Sequence, residues 1–472
     1  MSDISPNVVT PAKAGVHGTA RCLASSMLIF ARTWIPAFAG MTKKLPIFMI
    51  CLLPLAAQAM TVERVVSPGG VEAWLVQDHA NPIIAMEVAF KGGAALDPAN
   101  KSGLAEMTAS LLDEGAGPYD SQAFQQKLED LVITLHFDAG LDNLRGHLKT
   151  LTANRDTAFD LFRLSLTQPR FDKEPIERIR SQIMSNLMRE TQSPNAVASR
   201  QWFKAMFAGH PYSRSPHGEI DTIKTIQKGD LRAYVRDQLA RDRLIVGVVG
   251  DITPAELGGL LDKTFGALPA AGTAAIVPEA TPATVGGVTV IDKANPQAVG
   301  LFGAPGIKRK DSDWYPAYVM NYILGGGGFS SRLTEEVREK RGLAYSVYSY
   351  LTPLRHAGLI VGGVATENGR FAESIDLIKA EFRRMREQGP SETELANAKT
   401  YLNGSFPLQL DSTEAIAALL VQMRLDDLGI DFLDRRGALI AAVSLDDVKR
   451  AAARLLDPDA LSIVVVGRPA GM

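Results

Sequence analysis

At 472 residues, with 22% charged side chains and a formal net charge of −2, the chain has the length of two or three domains and the composition of a folded protein. The balanced charge and the absence of basic runs exclude the electrostatic footprint of a nucleic-acid binder. Metal and thiol chemistry must be sought among seven histidines and two cysteines.

Near the N-terminus, Met41-Thr-Lys-Lys44 precedes the apolar run Leu45 to Ala56 and then Ala57-Gln58-Ala59. A basic start, an apolar core and a small-x-small end are the grammar of a cleaved secretory signal, so residues 41–59 are expected to direct export to the periplasm. The apolar run is shorter than the roughly 20 residues a membrane span needs, so no stable span is expected after cleavage. Cys51 lies inside the run without the surroundings of a lipoprotein cleavage site. Residues 1–40 repeat a five-residue theme (Pro11-Ala-Lys-Ala-Gly15 and Pro36-Ala-Phe-Ala-Gly40) and are expected to be a non-native extension, with synthesis starting at Met41. Cleavage after Ala59 leaves 472 − 59 = 413 residues without cysteine. Stability must then come from core burial, and thiol catalysis is excluded.

From residue 60 the pattern is of strands and helices. Val71 to Gln77 and Ile83 to Phe90 read as strands separated by a turn at Asn81-Pro82. After the loop Lys91 to Pro98, Ser102 is expected to open a helix whose apolar residues are Leu104, Met107, Leu111 and Leu112. Amphipathic helices follow at 121–131, 157–166 and 173–190, with strand-like residues at 133–137. A helix over Ile220 to Val235 and an apolar strand over Leu244 to Gly250 close this half. Residues 269–285, rich in Ala, Pro, Gly and Thr, have linker composition. The second half then repeats the first at an offset of roughly 210 to 217 residues. Ala298 to Gly303 matches Met86 to Gly93, Asp313 to Leu324 matches the Ser102 helix, and Leu461 to Gly467 matches Leu244 to Gly250. The expected architecture is α+β: two tandem homologous domains, 60–268 and 286–468, each a mostly antiparallel sheet packed with helices, arranged as a clam-shell.

Within the second half, Gly325-Gly-Gly-Gly-Phe-Ser-Ser331 leads into a short predicted helix. Glu335 and Glu336 occupy its first turn, Arg338, Lys340 and Arg341 its last, and Gly342 stands at C′. A strand with alternating Tyr, Val and Ser follows. Arg338 and Tyr345 flank the corner between helix and strand. Taken alone, the arginine suits an ion pair with Glu335 and the tyrosine suits packing in a sheet.

The helix after the first glycine loop carries Glu106, Ala109 and Ser110 at i, i+3 and i+4, on one expected face opposite the apolar stripe. At this spacing two histidines and a glutamate would bind zinc and activate water. Here the chain resembles the insulinase (pitrilysin-type) metallopeptidases, whose signature is H-x-x-E-H. The resemblance spans essentially all of the chain after the signal. It includes Gly103-Leu-Ala105, His210-Pro-Tyr212 with Gly218, the strand ending at Asp251, the duplication, and Ser331-Arg-Leu with Arg341-Gly-Leu-Ala-Tyr345. On that motif the histidine positions are Glu106 and Ser110, and the glutamate position is Ala109. The family's third ligand, about 76 residues onward, falls at Asn186 ahead of Ser193-Pro194. All four positions depart from the family pattern, so no metal is expected in this chain. His210 with His217, and His136 with His147, lack a carboxylate at ligand spacing in the sequence and read as turn or surface residues. No G-x-S-x-G elbow and no phosphate-binding Gly-Lys-Ser/Thr loop is present.

The resemblance gives Arg338 and Tyr345 a role. In the family an arginine and a tyrosine seven residues apart reach from the second domain to the peptide at the zinc site, and 345 − 338 = 7. Guanidinium and phenol can hold a substrate carbonyl and stabilise the developing oxyanion. Arg332, Tyr348 and Tyr350 are secondary candidates. The family includes heterodimers that divide zinc and the Arg/Tyr pair between relatives. The resemblance therefore implies a non-catalytic, substrate-binding subunit without independent activity. Its partner would be a similar two-domain chain carrying H-x-x-E-H and the zinc, and its substrate a peptide or unfolded segment. The alternatives are a structural subunit of a larger complex and a stand-alone peptide-binding homodimer.

Overall fold

A computed structural model describes residues 60–273, 276–284 and 286–472. The expected extension (1–40) and signal (41–59) lie outside these residues. Among the described residues no helix is long and apolar enough to cross a membrane.

The first half begins with β1 (Glu63–Val66), β2 (Glu72–Gln77) and β3 (Ile83–Lys91). Helices α1 (Leu104–Ala109) and α2 (Ser121–Asp130) lead to the hairpin β4 (Thr134–Ala139) and β5 (Asn143–Leu151). Then come α3 (Arg155–Thr167), α4 (Lys173–Gln192), α5 (Pro194–Met206), α6 (Ile220–Thr225) and α7 (Lys228–Gln238). Strand β6 (Leu244–Gly250) and α8 (Pro254–Phe265) complete it.

The second half opens with β7 (Gly287–Asp292), β8 (Gln297–Pro305) and α9 (Trp314–Asn321). The hairpin β9 (Ala344–Pro353) and β10 (Gly358–Glu367) precedes α10 (Phe371–Gln388) and α11 (Glu392–Gly404). Helices α12 (Thr413–Leu425), α13 (Phe432–Ala441) and α14 (Leu445–Leu455) lead to β11 (Ser462–Gly467).

The chain is thus α+β, with two sheets packed against helices. Their strand orders, β1-β2-β6-β3-β5-β4 and β7-β11-β8-β10-β9, coincide once β1 is set aside. In both, one parallel pair (β2 with β6, β7 with β11) joins otherwise antiparallel strands. The offset between counterparts is 297 − 83 = 214 for β8 and β3, and 445 − 228 = 217 for α14 and α7.

Local chemistry accounts for several boundaries. The helix expected from Ser102 starts at Leu104, because Asp97 supplies its cap: the carboxylate accepts the N–H groups of Gly103 and Ala105 at 2.9 and 3.1 Å. The single helix expected over 220–235 is two, since Asp230 accepts the N–H of Gln227 at 2.7 Å and starts a new helix there. Strand β1 escaped the sequence reading because four residues show too little alternation. Part of the linker-like stretch is a fastened strap. Ala280 and Ala283 donate to the carbonyls of His356 and Met206 at 2.9 and 2.8 Å, and Val277 is buried.

The halves exchange cover. Helix α5, from the first half, lies across β8 and β11 of the second sheet, and α12, from the second half, lies across β3 and β6 of the first. Glycines in the sheets make room. A Cβ on Gly303 would stand 2.6 Å from the Trp202 ring of α5, and one on Gly247 would stand 2.8 Å from the Ala417 carbonyl of α12. Trp202 is fully buried, and its indole N–H donates to the Ser462 carbonyl at 3.0 Å.

Candidate functional site

Helix α1 places the residues that match the zinc motif. Ala109 is 1% exposed and belongs to the first half's core, so the expected polar face is partly filled with packing. Ser110 caps the helix, its N–H donating to the Glu106 carbonyl at 3.0 Å. Glu106 meets His217, with Oε2 3.6 Å from Nδ1. The bond to Glu106 raises the His217 pKa against the opposing effect of burial, and Glu190 adds to the rise. Asn186 is exposed on α4 and accepts a bond from Arg189. Among the described residues, no group of three or more His, Cys, Asp or Glu side chains is placed to hold a metal ion. His210 serves its own loop: Nδ1 accepts the N–H of Tyr212 at 3.1 Å and Nε2 meets the Pro278 carbonyl at 3.0 Å.

Two histidines that looked isolated in sequence are not. Register aligns Glu87 on β3 with His147 on β5, and His147 with His136 on β4. The two imidazoles stack with centroids 4.2 Å apart. His147 bridges the buried Glu87 carboxylate and Asp138, the latter at 2.7 Å. Burial alone would lower its pKa, but Asp138 and then Glu87 hold it up, to about 9. A folded-state pKa above the ordinary histidine value of 6.5 means that this stabilisation is complete below about 6.5 and is lost as pH rises through about 9. His147→Gln should therefore cost about 1–2 kcal/mol at pH 6, because it leaves the buried Glu87 with only the more distant Arg145 guanidinium, at 3.6 Å. Urea unfolding of both proteins at pH 6 and pH 9.5 should show the gap closing. An unchanged gap would rule out this account.

The corner of Arg338 and Tyr345 differs in kind. Its helix is wound wide: the N–H of Lys340 donates to Glu335, five residues back, at 2.9 Å. Gly342, at φ 58°, ends it as expected, donating to Arg338 at 2.7 Å. Such widened turns recur at functional sites. The Arg338 guanidinium lies between two rings, 4.7 Å from the centroid of Phe329 and 5.2 Å from that of Tyr345. Its ion-pair partner is Glu339 at 3.4 Å, while Glu335 pairs with Lys340, so the Glu335 pairing considered from sequence does not form.

Tyr345 does not pack in the sheet; it is 79% exposed. A β-bulge explains this. Ala365 faces Ser346 and Thr366 faces Ala344, leaving Tyr345 as the extra residue. Plain alternation would turn it inward with Val347 and Ser349, both buried. The bulge turns it outward instead, to the exposed side where Tyr348 and Tyr350 stack with centroids 5.9 Å apart. The carbonyls of Val347 and Ser349 accept bonds from Thr334 (3.4 Å) and Asn321 (3.1 Å), which covers this stretch of the terminal strand.

Arg332, considered as a second contact, is buried in a two-pronged pair with Glu394 at 2.6 and 2.8 Å and belongs to the fold. That pairing, against burial, holds the Glu394 carboxyl down at about 2. Phe329 was missed: a single aromatic among glycines carries no pattern.

Comparison with known proteins bears on the family and the fold. The family model described as insulinase (peptidase family M16) matches residues 73–218, and that described as the peptidase M16 inactive domain matches 225–402. A protein of Helicobacter pylori named non-peptidase homolog YmxG is 29% identical over 368 residues, covering 77% of this chain and 84% of the relative. An uncharacterized zinc protease of Streptomyces coelicolor is 28% identical over 344 residues, covering 68% and 74%. A crystal structure described as a peptidase M16 inactive domain from Pseudomonas fluorescens superposes with a TM-score of 0.82 at 28% identity. It covers 87% of this chain and 98% of that one.

Proposed function

The chain belongs to the insulinase family of peptidases, M16, and on that premise we propose that it is the non-catalytic, substrate-binding subunit of a zinc metallopeptidase. The observation that carries this reading is the contrast between two faces. The positions that should hold zinc are Glu106, Ser110 and Asn186, none with the family's ligand, and the position of the general base is Ala109, which has no carboxylate and is buried. The Arg338–Tyr345 corner, by contrast, is assembled and open to solvent. A catalytic zinc needs three protein ligands and a water, so the metal and the general base must come from a second chain. Arg338 and Tyr345 would hold the carbonyl of a peptide cut there and share the charge that develops on its oxygen. Side chains would do this holding, because Thr334 and Asn321 already bond the Val347 and Ser349 carbonyls of β9. Residues 41–59 would send the protein to the periplasm, where the partner, a two-domain homologue with H-x-x-E-H, would meet it.

Reconstitution tests this. The chain and an H-x-x-E-H homologue from the same genome are purified separately and assayed on a fluorogenic peptide, alone and mixed. Alone, this chain should carry no stoichiometric zinc by elemental analysis and cleave nothing. The mixture should co-elute in gel filtration and cleave faster than the homologue by itself. Hydrolysis by the isolated chain, or a homologue fully active without it, would overturn the proposal.

A further inference from the structure

A cleft of about 420 Å³ lies between elements of both halves, at the turn that follows the strand carrying Tyr345. A second cavity of about 330 Å³ adjoins it, and the two share Lys91, Asp142, Arg355 and His356. Lys91 ends β3 of the first half, and Arg355 sits in the turn between β9 and β10 of the second. These two cations stand at the waist where the cavities meet.

Most charges here are already matched. Lys308 pairs with Glu279 at 2.6 Å, and Lys310 with Asp427 at 2.5 Å. Arg309 is stacked 4.7 Å from the centroid of the Trp314 ring. The carboxylate of Asp142 is spent on its neighbours. One oxygen accepts the Tyr212 hydroxyl at 2.5 Å, and the other accepts the backbone N–H of Arg355 at 2.9 Å. Asp426 accepts a bond from the neutral Gln422 amide at 2.9 Å, and burial pushes its carboxyl pKa up, towards the uncharged form.

Lys91 and Arg355 are the exceptions. Among the described residues, neither the Lys91 ammonium nor the Arg355 guanidinium has a hydrogen bond, and neither has a carboxylate within the 4 Å of an ion pair. Burial pulls the pKa of Lys91 down, and the nearby charge of Arg355 adds to this against a smaller opposing effect of Asp427. Two like charges sharing a half-enclosed cleft repel each other, and an anion placed between them would relieve that repulsion while gaining charge-assisted bonds. A planar guanidinium opposite a point-charge ammonium suits an oxyanion: Arg can fork onto two oxygens while Lys takes a third contact.

We propose that this cleft is an oxyanion-binding site, in which Lys91 of one half and Arg355 of the other clamp a carboxylate or phosphate group of a small polar ligand. Because the clamp draws one cation from each half, occupancy would also tie the halves together. The proposal stands independently of the Arg338–Tyr345 reading.

Isothermal titration of the full-length protein at constant ionic strength tests it with two probes: inorganic phosphate, and a short acetylated peptide with a free C-terminal carboxylate, set against its C-terminal amide. Saturable binding of phosphate identifies a phosphate site. Binding of the free acid but not the amide identifies a carboxylate site. In either case Lys91→Met and Arg355→Gln should each weaken binding at least tenfold, whereas Arg468→Gln, at a remote surface pair with Asp292, should leave it unchanged. Without any oxyanion, Lys91→Met should keep or raise the melting temperature, because it removes a repulsive charge. Failure of both probes to bind above chloride, or binding unaltered in both cleft variants, would overturn the proposal.

Discussion

Arg338→Ala should lower peptide turnover by the reconstituted complex at least tenfold, equivalent to about 1.4 kcal/mol of barrier, while leaving assembly and stability intact. The guanidinium is held between Phe329 and Tyr345, which fixes its direction before any substrate arrives. A preset cation of this kind acts on charge that grows as the peptide bond is attacked, so the loss should fall mainly in kcat. Tyr345→Phe is the sharper variant. It keeps the ring that flanks Arg338 and removes only the hydroxyl, so a tenfold loss there assigns the effect to the phenol. Arg332→Ala is the control from the same segment. It breaks a buried ion pair with Glu394 and should depress stability. If Arg338→Ala and Tyr345→Phe change melting temperature but not turnover, the corner is a fold element and the protein a structural subunit.

The second large effect concerns how the halves are joined. Trp202→Ala should cost about 3–5 kcal/mol, the range for deleting a fully buried large side chain. The indole lies against Gly303 of a sheet belonging to the other half, and its N–H is bonded to Ser462 of that sheet. Its removal leaves a cavity at the junction as well as in a core, so cooperativity between the halves should weaken together with stability. Equilibrium urea unfolding followed by circular dichroism would show a lower midpoint and a shallower or split transition. A loss below about 1 kcal/mol would mean that α5 contributes little to holding the halves together.

A good part of this was legible in the residues. Leu244 to Gly250 forms the strand its unbroken apolar run predicts, and Ile83 to Phe90 forms β3 one residue short of its end. Gly342 ends the helix at Arg338 as its position among basic residues implies. The duplication was visible because homologous halves keep their elements at nearly one offset, and the loss of the zinc motif because a ligand set is written in side-chain identity. What failed to show was contact across distance. Glu87 and His147 are 60 residues apart, and only the register of β3 on β5 makes them neighbours.

Most of the elements, their repetition, the family resemblance and the loss of the H-x-x-E-H residue types at Glu106, Ala109 and Ser110 are written in the residues themselves. These follow from local dihedral preference, from apolar periodicity and from which atoms can ligate. The outward direction of Tyr345 comes from the folded sheet, since it depends on one unpaired residue in the ladder between β9 and β10. So do the crossing of α5 and α12 onto the sheets of the opposite halves, and the meeting of Lys91 and Arg355 in one cleft. Those outcomes depend on pairing register and close approach between segments far apart in the chain, and no local pattern encodes them.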